Sequence, residues 1–317
     1  MALKIVALAG GVGGARLADG LAACLPPEDL TIVVNTADDF EHLGLAVSPD
    51  LDTVMYTLAG VANPDTGWGR AEESWHFLET LTRLEGPTWF RLGDRDLAVH
   101  VERTRRMRCG QVLSEVTSAF CRSLGMRVRL LPMSDQPVRT IVSTTEGDLP
   151  FQEYFVARGC RPAVCGFRFE AIERARPAPG VLEALASADA VVLCPSNPFV
   201  SLDPILSVPG MRAAVSARPV VAVSPIVGGR ALKGPAAKMF RELGIEPGPA
   251  AFAAHYGGLL RGLVIDREDQ SQAANLASER LTVLVTDTVM RSPSDRRRLA
   301  VEVLGMVEAL IQSGSGA

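Results

Sequence analysis

The sequence predicts an α/β protein: a Rossmann-like open parallel sheet in three layers, carrying a helical insert. Three observations predict it. Short, largely apolar runs recur at 5–9, 31–35, 128–131, 190–194, 219–223, 263–266 and 282–286, as in strands covered on both faces. Helical patterns separate them, such as Leu299, Val303, Val307, Leu310 and Ile311 near the C-terminus. Five runs lead straight into polar turns: GGVGG, NTADD, LPMSDQP, CPSNPFVS and VSPIVGG. Ligands of an open parallel sheet bind beyond the carboxyl ends of its strands. Five such turns on one edge therefore predict a single large polar site, although each turn alone is also what ends a strand.

The first turn, Gly10-Gly11-Val12-Gly13-Gly14, follows the first strand and opens a helix, the arrangement that holds phosphate on backbone N–H groups. It fits a dinucleotide fingerprint poorly. Arg16 stands where a third small residue belongs, and the second strand ends in Asn35 instead of the acid that holds a ribose. NAD is disfavoured. Between the second and third strands the alternation breaks at about 60–125, where helical patterns at 70–84 and 98–124 flank PTWFRLGDRDLAVH. This segment is predicted to pack beside the sheet as one wall of a cleft, within a single domain spanning 1–317.

Composition bounds the rest. The 317 residues suffice for a full core. With 32 basic against 36 acidic residues, no broad attraction to nucleic acid is expected. No apolar run is long enough to span a membrane and no secretory leader pattern is present, so no membrane partner is expected. Six scattered cysteines without a C-x-x-C pair argue against zinc and for reduced thiols in a cytoplasmic protein. The chain has neither a G-x-S-x-G elbow nor a Walker lysine motif. The tail 313–317 is expected to fray.

Two clusters carry candidate chemistry. Asp38, Asp39, Glu41, Asp50 and Asp52 lie within fifteen residues. Asp50 and Asp52 read either as caps of a helix beginning near Leu51 or as hard oxygen ligands for Mg2+ facing the phosphate turn. In RLGDRD, Arg91 and Arg95 read either as surface ion pairs or, beside Trp89 and Phe90, as clamps on phosphate or a flat ring. His42 beside the acidic loop is a candidate, whereas His76, His100 and His255 default to structural roles. The basic runs 103–108 and 296–298 read as solvated helix faces.

These turns, in this order, resemble the 2-phospho-L-lactate transferase family of coenzyme F-420 biosynthesis. The likeness runs from LAGGVGGARL through VVNTADD, SPDLDTVMYTL, RLGDRDLA, LLPMSD, FQEYFV, PSNP, VPGMR and VAVSPIVGG to TDTVM. YTLAG with GWG and EESWH points to the actinobacterial members. The resemblance implies a Mg2+-dependent transfer. The terminal ribityl hydroxyl of 7,8-didemethyl-8-hydroxy-5-deazariboflavin attacks the phosphorus bearing a three-carbon acid, either L-lactate or enolpyruvate, and GMP leaves. On that reading Gly10, Gly11, Gly13, Gly14, Ser196, Asn197, Pro198, Ser224 and Pro225 hold the guanosine diphosphate ester. Asp50 and Asp52 hold the metal or the hydroxyl, and Asp52, Arg91 and Arg95 face the deazaflavin. Asp50, Asp52 and Arg95 are the catalytic expectation. A cytoplasmic homodimer, receiving its donor from the guanylyltransferase that makes it, is also expected. One departure stands out: the family's Ser-Ile-Gly-Pro-Ile reads Ser201-Leu202-Asp203-Pro204-Ile205, and Asp203 either alters the accepted acid or faces solvent. The rival reading is a non-catalytic, nucleotide-sugar-binding regulator of the gluconeogenesis-factor type, which would not carry SPDLDTVMYTL together with LGDRD.

Overall fold

A computed structural model describes residues 3–314. All seven expected strands form, as one parallel sheet: β1 (Ile5–Ala9), β2 (Leu30–Val34), β3 (Arg129–Pro132), β4 (Ala190–Leu193), β5 (Val220–Val223), β6 (Gly262–Asp266) and β7 (Thr282–Thr286). Their spatial order is 3-2-1-4-5-6-7. The chain direction across the sheet therefore reverses between β1 and β4, with Ile5 paired to Leu30 on one side and to Ala190 on the other. Such a switch point leaves a crevice where the two flanking turns part.

The apolar strands have the cause the sequence suggested. Ile5, Ala7, Ala9, Ile32 and Val34 face α1 (Gly11–Ala22), α2 (Pro49–Leu58) and the C-terminal helix Pro293–Gly314 through Leu17, Leu21, Leu51, Val54, Leu299 and Val303. Val6, Leu8, Val33, Val191 and Leu193 face the opposite layer, which includes Val181, Leu185, Met211, Val215, Phe252 and Tyr256. Every residue of β1, β4, β5 and β6 is buried. The frayed-tail expectation falls partly outside the described residues, since Ser313 and Gly314 end the last helix and 315–317 lie beyond them.

Helices fill the insert, with one break. The expected run over 98–124 is two helices, α4 (Asp94–Arg108) and α5 (Leu113–Ser123), preceded by a short, exposed α3 (His76–Arg83). The break is at Gly110, whose φ of 90° is left-handed and ends the helix as a glycine C-cap does. Besides a two-residue-strand hairpin of Ile226–Val227 with Arg230–Ala231, two larger pieces went unread in the sequence. A hairpin, Phe40–His42 with Leu45–Val47, turns on Leu43 and Gly44, both at positive φ. A three-stranded antiparallel sheet of Arg139–Thr144, Gly147–Pro150 and Val164–Glu170 packs a separate small core around Phe151, Tyr154, Phe199 and Phe240. Among the described residues no helix is long and apolar enough to cross a membrane.

Candidate active site

Gly10 follows β1 in an extended conformation and caps α1 without any side-chain cap or first-turn acid; beyond the Gly11 N–H, which donates to Asp50, the first N–H groups of α1 stay available for a ligand. The Gly10 N–H donates to Ser196 Oγ across the switch point at 3.0 Å. The glycines are demanded by crowding. A Cβ on Gly10 would sit 2.6 Å from Asp50 Oδ2, on Gly13 2.2 Å from the Pro195 carbonyl oxygen, and on Gly14 2.6 Å from Ser196 Oγ. Gly11 needs its freedom for another reason, a φ of 62°. In the opposing turn, Asn197 Oδ1 accepts from the Phe199 N–H at 3.0 Å, which fixes how the segment after β4 enters its helical turn.

Asn35, at the end of β2, joins both turns to the acidic edge. Its Nδ2 donates to Asp50 Oδ2 at 3.0 Å and to the Val200 carbonyl at 3.1 Å, and its Oδ1 accepts from the Ala37 N–H. Asp50 lies in the first turn of α2, but it points back to the glycine turn, where it accepts from the Gly11 N–H and from Ser201. Burial raises the Asp50 carboxyl to about 6 despite those donors. Asp38 is raised well above the ordinary carboxylate range by burial and then by the nearby Asp50 charge, and its Oδ1 is buried without a hydrogen-bond partner. Asp39 is raised to about 7, mainly by burial, with Ser48 donating to it at 2.7 Å.

Asp52, two residues on, faces a different surrounding. Both of its oxygens are taken by Arg103, with Nη2 on Oδ1 and Nη1 at 3.0 Å from Oδ2. Arg103 is 1% exposed, which corrects the reading of 103–108 as a solvated face for that residue. Burial works against its charge, and Asp52 beside it outweighs burial and holds it above its ordinary range. Arg103 Nη1 also lies 3.2 Å from His100 Nδ1. Since Arg can only donate, His100 accepts there and keeps its proton on Nε2, which sits 3.3 Å from Asp96 Oδ1. The Tyr56 hydroxyl donates to Asp96 at 2.7 Å. Asp96, His100 and Arg103 stand at i, i+4 and i+7 on α4, so one helical face delivers all three.

RLGDRD divides its labour. The Asp94 carboxylate accepts from Ser74 Oγ and from the His76 and Phe77 N–H groups, capping α3; Glu73 accepts from the Arg95 and Asp96 N–H groups at 2.8 Å each, capping α4. Gly93 permits this exchange, because a Cβ there would lie 2.2 Å from Glu73 Cδ. Arg91 stacks over Trp75 at 4.6 Å and lines the cavity. Arg95 pairs with Glu72 at 3.0 Å, half exposed, and is not among the cavity-lining residues.

These features meet in one cavity of about 590 Å3. Gly10, Gly11, Gly13, Ser196, Asn197, Ser224, Pro225, Asp50, Asp52 and Arg91 line it, whereas Gly14, Pro198 and the whole LPMSDQP turn are not among the lining residues. Asp38, of the acidic cluster, lines it too, and sequence reasoning missed Arg16, Tyr56, Asp96 and His100 on the same surface. Aromatic rings form two walls. Trp89 and Phe90 are backed by Phe40 and His42, with Phe40–Phe90 centroids 4.9 Å apart; Phe151 and Phe155 stack at 5.4 Å. His42 is buried behind the first wall, outside the lining, where desolvation lowers its pKa. Asp203 also lies outside the lining, half-buried and paired with His255 Nε2 at 2.8 Å.

Main-chain donors at a switch point beside buried carboxylates are a common way for α/β enzymes to handle phosphate esters, and this fold and cavity fall in that class. Comparison with known proteins narrows it. A family model described as 2-phospho-L-lactate transferase CofD matches residues 5–304. The chain is 44% identical over 310 residues to a phosphoenolpyruvate transferase of Streptomyces griseus, covering 94% of this chain and 98% of that one. It is 42% identical over 315 residues to a 2-phospho-L-lactate transferase of Methanopyrus kandleri, covering 98% and 100%. The chain belongs to the CofD 2-phospho-L-lactate transferase family and is a transferase. Among solved structures, the UPF0052-family protein BH3568 of Bacillus halodurans superposes with a TM-score of 0.60 at 15% identity over 96% of this chain and 99% of that one, a likeness of fold.

Proposed function

We propose that this transferase moves a phosphorylated three-carbon acid, 2-phospho-L-lactate or enolpyruvyl phosphate, from its guanosine diphosphate ester to the ribityl hydroxyl of the deazaflavin, releasing GMP, in coenzyme F-420 biosynthesis. One observation carries the reading beyond family membership: a phosphate-suited glycine edge and two aromatic walls share a single cavity. Phosphoryl transfer asks the protein mainly to position reactants and neutralise charge. The α1 N-terminus and the Ser196-Asn197 and Ser224-Pro225 turns suit the diphosphate. Trp89, Phe90 and Phe155 suit a flat heterocycle, with Arg91 between the two halves.

The oxygen donors fit Mg2+. Asp38 carries a buried, unpartnered oxygen beside Asp50, and both line the cavity next to the glycine turn. Asp52, Asp96 and His100 also cluster closely enough to hold an ion, but Arg103 already neutralises Asp52 and occupies His100 Nδ1. The reading therefore places the metal on Asp38 and Asp50, with Asp52 as an anchor of the acceptor wall. When bound, Mg2+ supplies charge neutralisation to the diphosphate. A cytoplasmic homodimer supplied by the donor-forming guanylyltransferase remains part of the proposal.

Mass spectrometry tests it: the deazaflavin is incubated with GTP, a guanylyltransferase and, in turn, the phosphates of lactate, enolpyruvate and glycerate. A deazaflavin product heavier by one phospho-acid, formed with GMP, is the expected result. Unchanged deazaflavin with every acid overturns the assignment.

A further inference from the structure

The cations lining the cavity are not held alike. Arg16 donates to the Met290 carbonyl at 2.9 Å, and Arg91 is stacked on Trp75. Lys233 has one hydrogen bond, a long one of 3.4 Å from its ammonium to the main-chain carbonyl of Thr66. It is exposed although it lines the cavity, and it lies just beyond the hairpin that follows the Ser224-Pro225 turn.

In that hairpin, Ile226–Val227 paired with Arg230–Ala231, the turn is fixed and the segment that leaves it is not. The Gly228 N–H donates to Asp269 at 3.0 Å, Arg241 donates to the Gly229 carbonyl at 2.8 Å, and Arg230 pairs with Glu268. Beyond Ala231 come Leu232, 53% exposed, then Lys233, then Gly234 at a φ of 71°. Thr66 belongs to the facing turn, whose Trp68 is 49% exposed between two left-handed glycines, Gly67 and Gly69. Two glycine-jointed segments thus carry exposed apolar side chains at one cavity, and among the described residues one long ammonium–carbonyl hydrogen bond joins them.

A neutral carbonyl is a poor partner for an ammonium beside a site meant for a dianionic diphosphate, because charge-assisted bonds to phosphate are shorter and roughly twice as strong as neutral ones. We propose that Lys233 is a donor-binding residue: it rests on the Thr66 carbonyl in the free protein and transfers to the diphosphate when nucleotide enters. The proposal rests on the nucleotide reading of the cavity above and adds a side-chain cation to a cradle otherwise made of backbone. It also makes nucleotide arrival the event that unties the 63–69 turn.

Calorimetry with Mg2+ tests it, titrating GDP, UDP and guanosine into wild type, Lys233→Ala and Lys233→Arg. Lys233→Ala should weaken the preferred diphosphate by about tenfold or more, leave guanosine unchanged, and be largely restored in Lys233→Arg. Wild-type diphosphate affinity in Lys233→Ala overturns the proposal, and so does an equal weakening of guanosine, which would mark a structural role. The nucleotide reading is judged separately. A wild type that prefers UDP to GDP overturns the guanine assignment, while the ratio of Lys233→Ala to wild type still decides the lysine. A wild type that binds neither diphosphate overturns both.

Discussion

The two halves of the cavity are built on different principles. The glycine edge is made of backbone at the ends of β1 and β4, held by contacts too close for any side chain. The proposed acceptor wall is made of side chains, those of α2 and α4 held by a buried network through Arg103 and those of 89–91 packed on Phe40, His42 and Trp75. Such a site tolerates little substitution at its glycines: at Gly13 the clash is with main chain, at Gly10 and Gly14 with the packed side chains of Asp50, Ser201 and Ser196, and Gly11 holds a left-handed φ. A side-chain site can lose a member and keep its shape, provided no buried charge is stranded.

That contrast is open to test, the largest effect first. Gly13→Val drives a side chain into the Pro195 carbonyl, 2.2 Å from where Cβ must sit, so α1 has to shift off the switch point. Nucleotide affinity should vanish and the melting temperature should fall with it. A folded Gly13→Val protein with intact GDP binding by calorimetry would break the account of a backbone-built edge.

Asp50→Asn comes second. It keeps the shape but removes charge from the proposed metal pair, and transfer should fall by about 10²–10³ in single-turnover assays. Its pH behaviour sharpens the point. Burial raises the Asp50 carboxyl to about 6, above its unfolded value. Without metal its contribution is therefore stabilising at low pH and is lost as pH rises through about 6. Mg2+ binds the carboxylate alone, so the rise in melting temperature with added Mg2+ should be small at pH 5 and full at pH 8. The same titration of Asp38→Asn and Asp50→Asn should show little metal stabilisation, and an undiminished one in both would move the metal elsewhere.

Third, Arg103→Ala strands Asp52 inside the acceptor wall and should destabilise the fold by about 3–5 kcal/mol. Pairing it with Asp52→Asn should recover a good part of that loss in urea unfolding. Equal losses in the single and double variants would show that Arg103 serves by packing and not by charge.

The smallest effects separate two arginines of one motif. Arg95 is a half-exposed partner of Glu72, and Arg95→Ala should cost about 0–1 kcal/mol of stability and leave transfer near wild type. Arg91 lines the cavity, and Arg91→Ala should raise the transfer barrier by about 2–4 kcal/mol, with Lys restoring it only in part. Reversed outcomes would move the acceptor to the outer side of α4.

The legibility of the sequence follows the same divide. The inner strands were readable because burial on both faces leaves an apolar run, the edge strands β3 and β7 because Leu and Val still dominate them, and the polar turns after them because glycine, Ser-Pro and Asn-Pro punctuate strands. The acceptor wall was not. His100 looked like a lone histidine, and Arg103 like the start of a basic run. The signal was there in the spacing of Asp96, His100 and Arg103, but a polar face on a helix resembles a solvated one until something packs on it. Asn35 was noticed only as the residue that excludes a ribose acid, because its donor role toward Asp50 depends on a neighbour fifteen residues away. The antiparallel sheet escaped because its strands mix polar and apolar residues and one carries a register shift at Ser143 and Thr144.

The strand order also bears on how the molecule comes into being. β1, at the middle of the sheet, gains its second neighbour only when Ala190 pairs with Ile5. A growing chain must therefore keep β1 and its glycine turn half-covered until well over half of the residues have been synthesised. Contacts of such long sequence separation fold slowly and leave apolar edges exposed meanwhile. The glycine edge is thus completed only after the first half of the chain is made, and a ligand that binds there would stabilise the finished sheet without hastening its start.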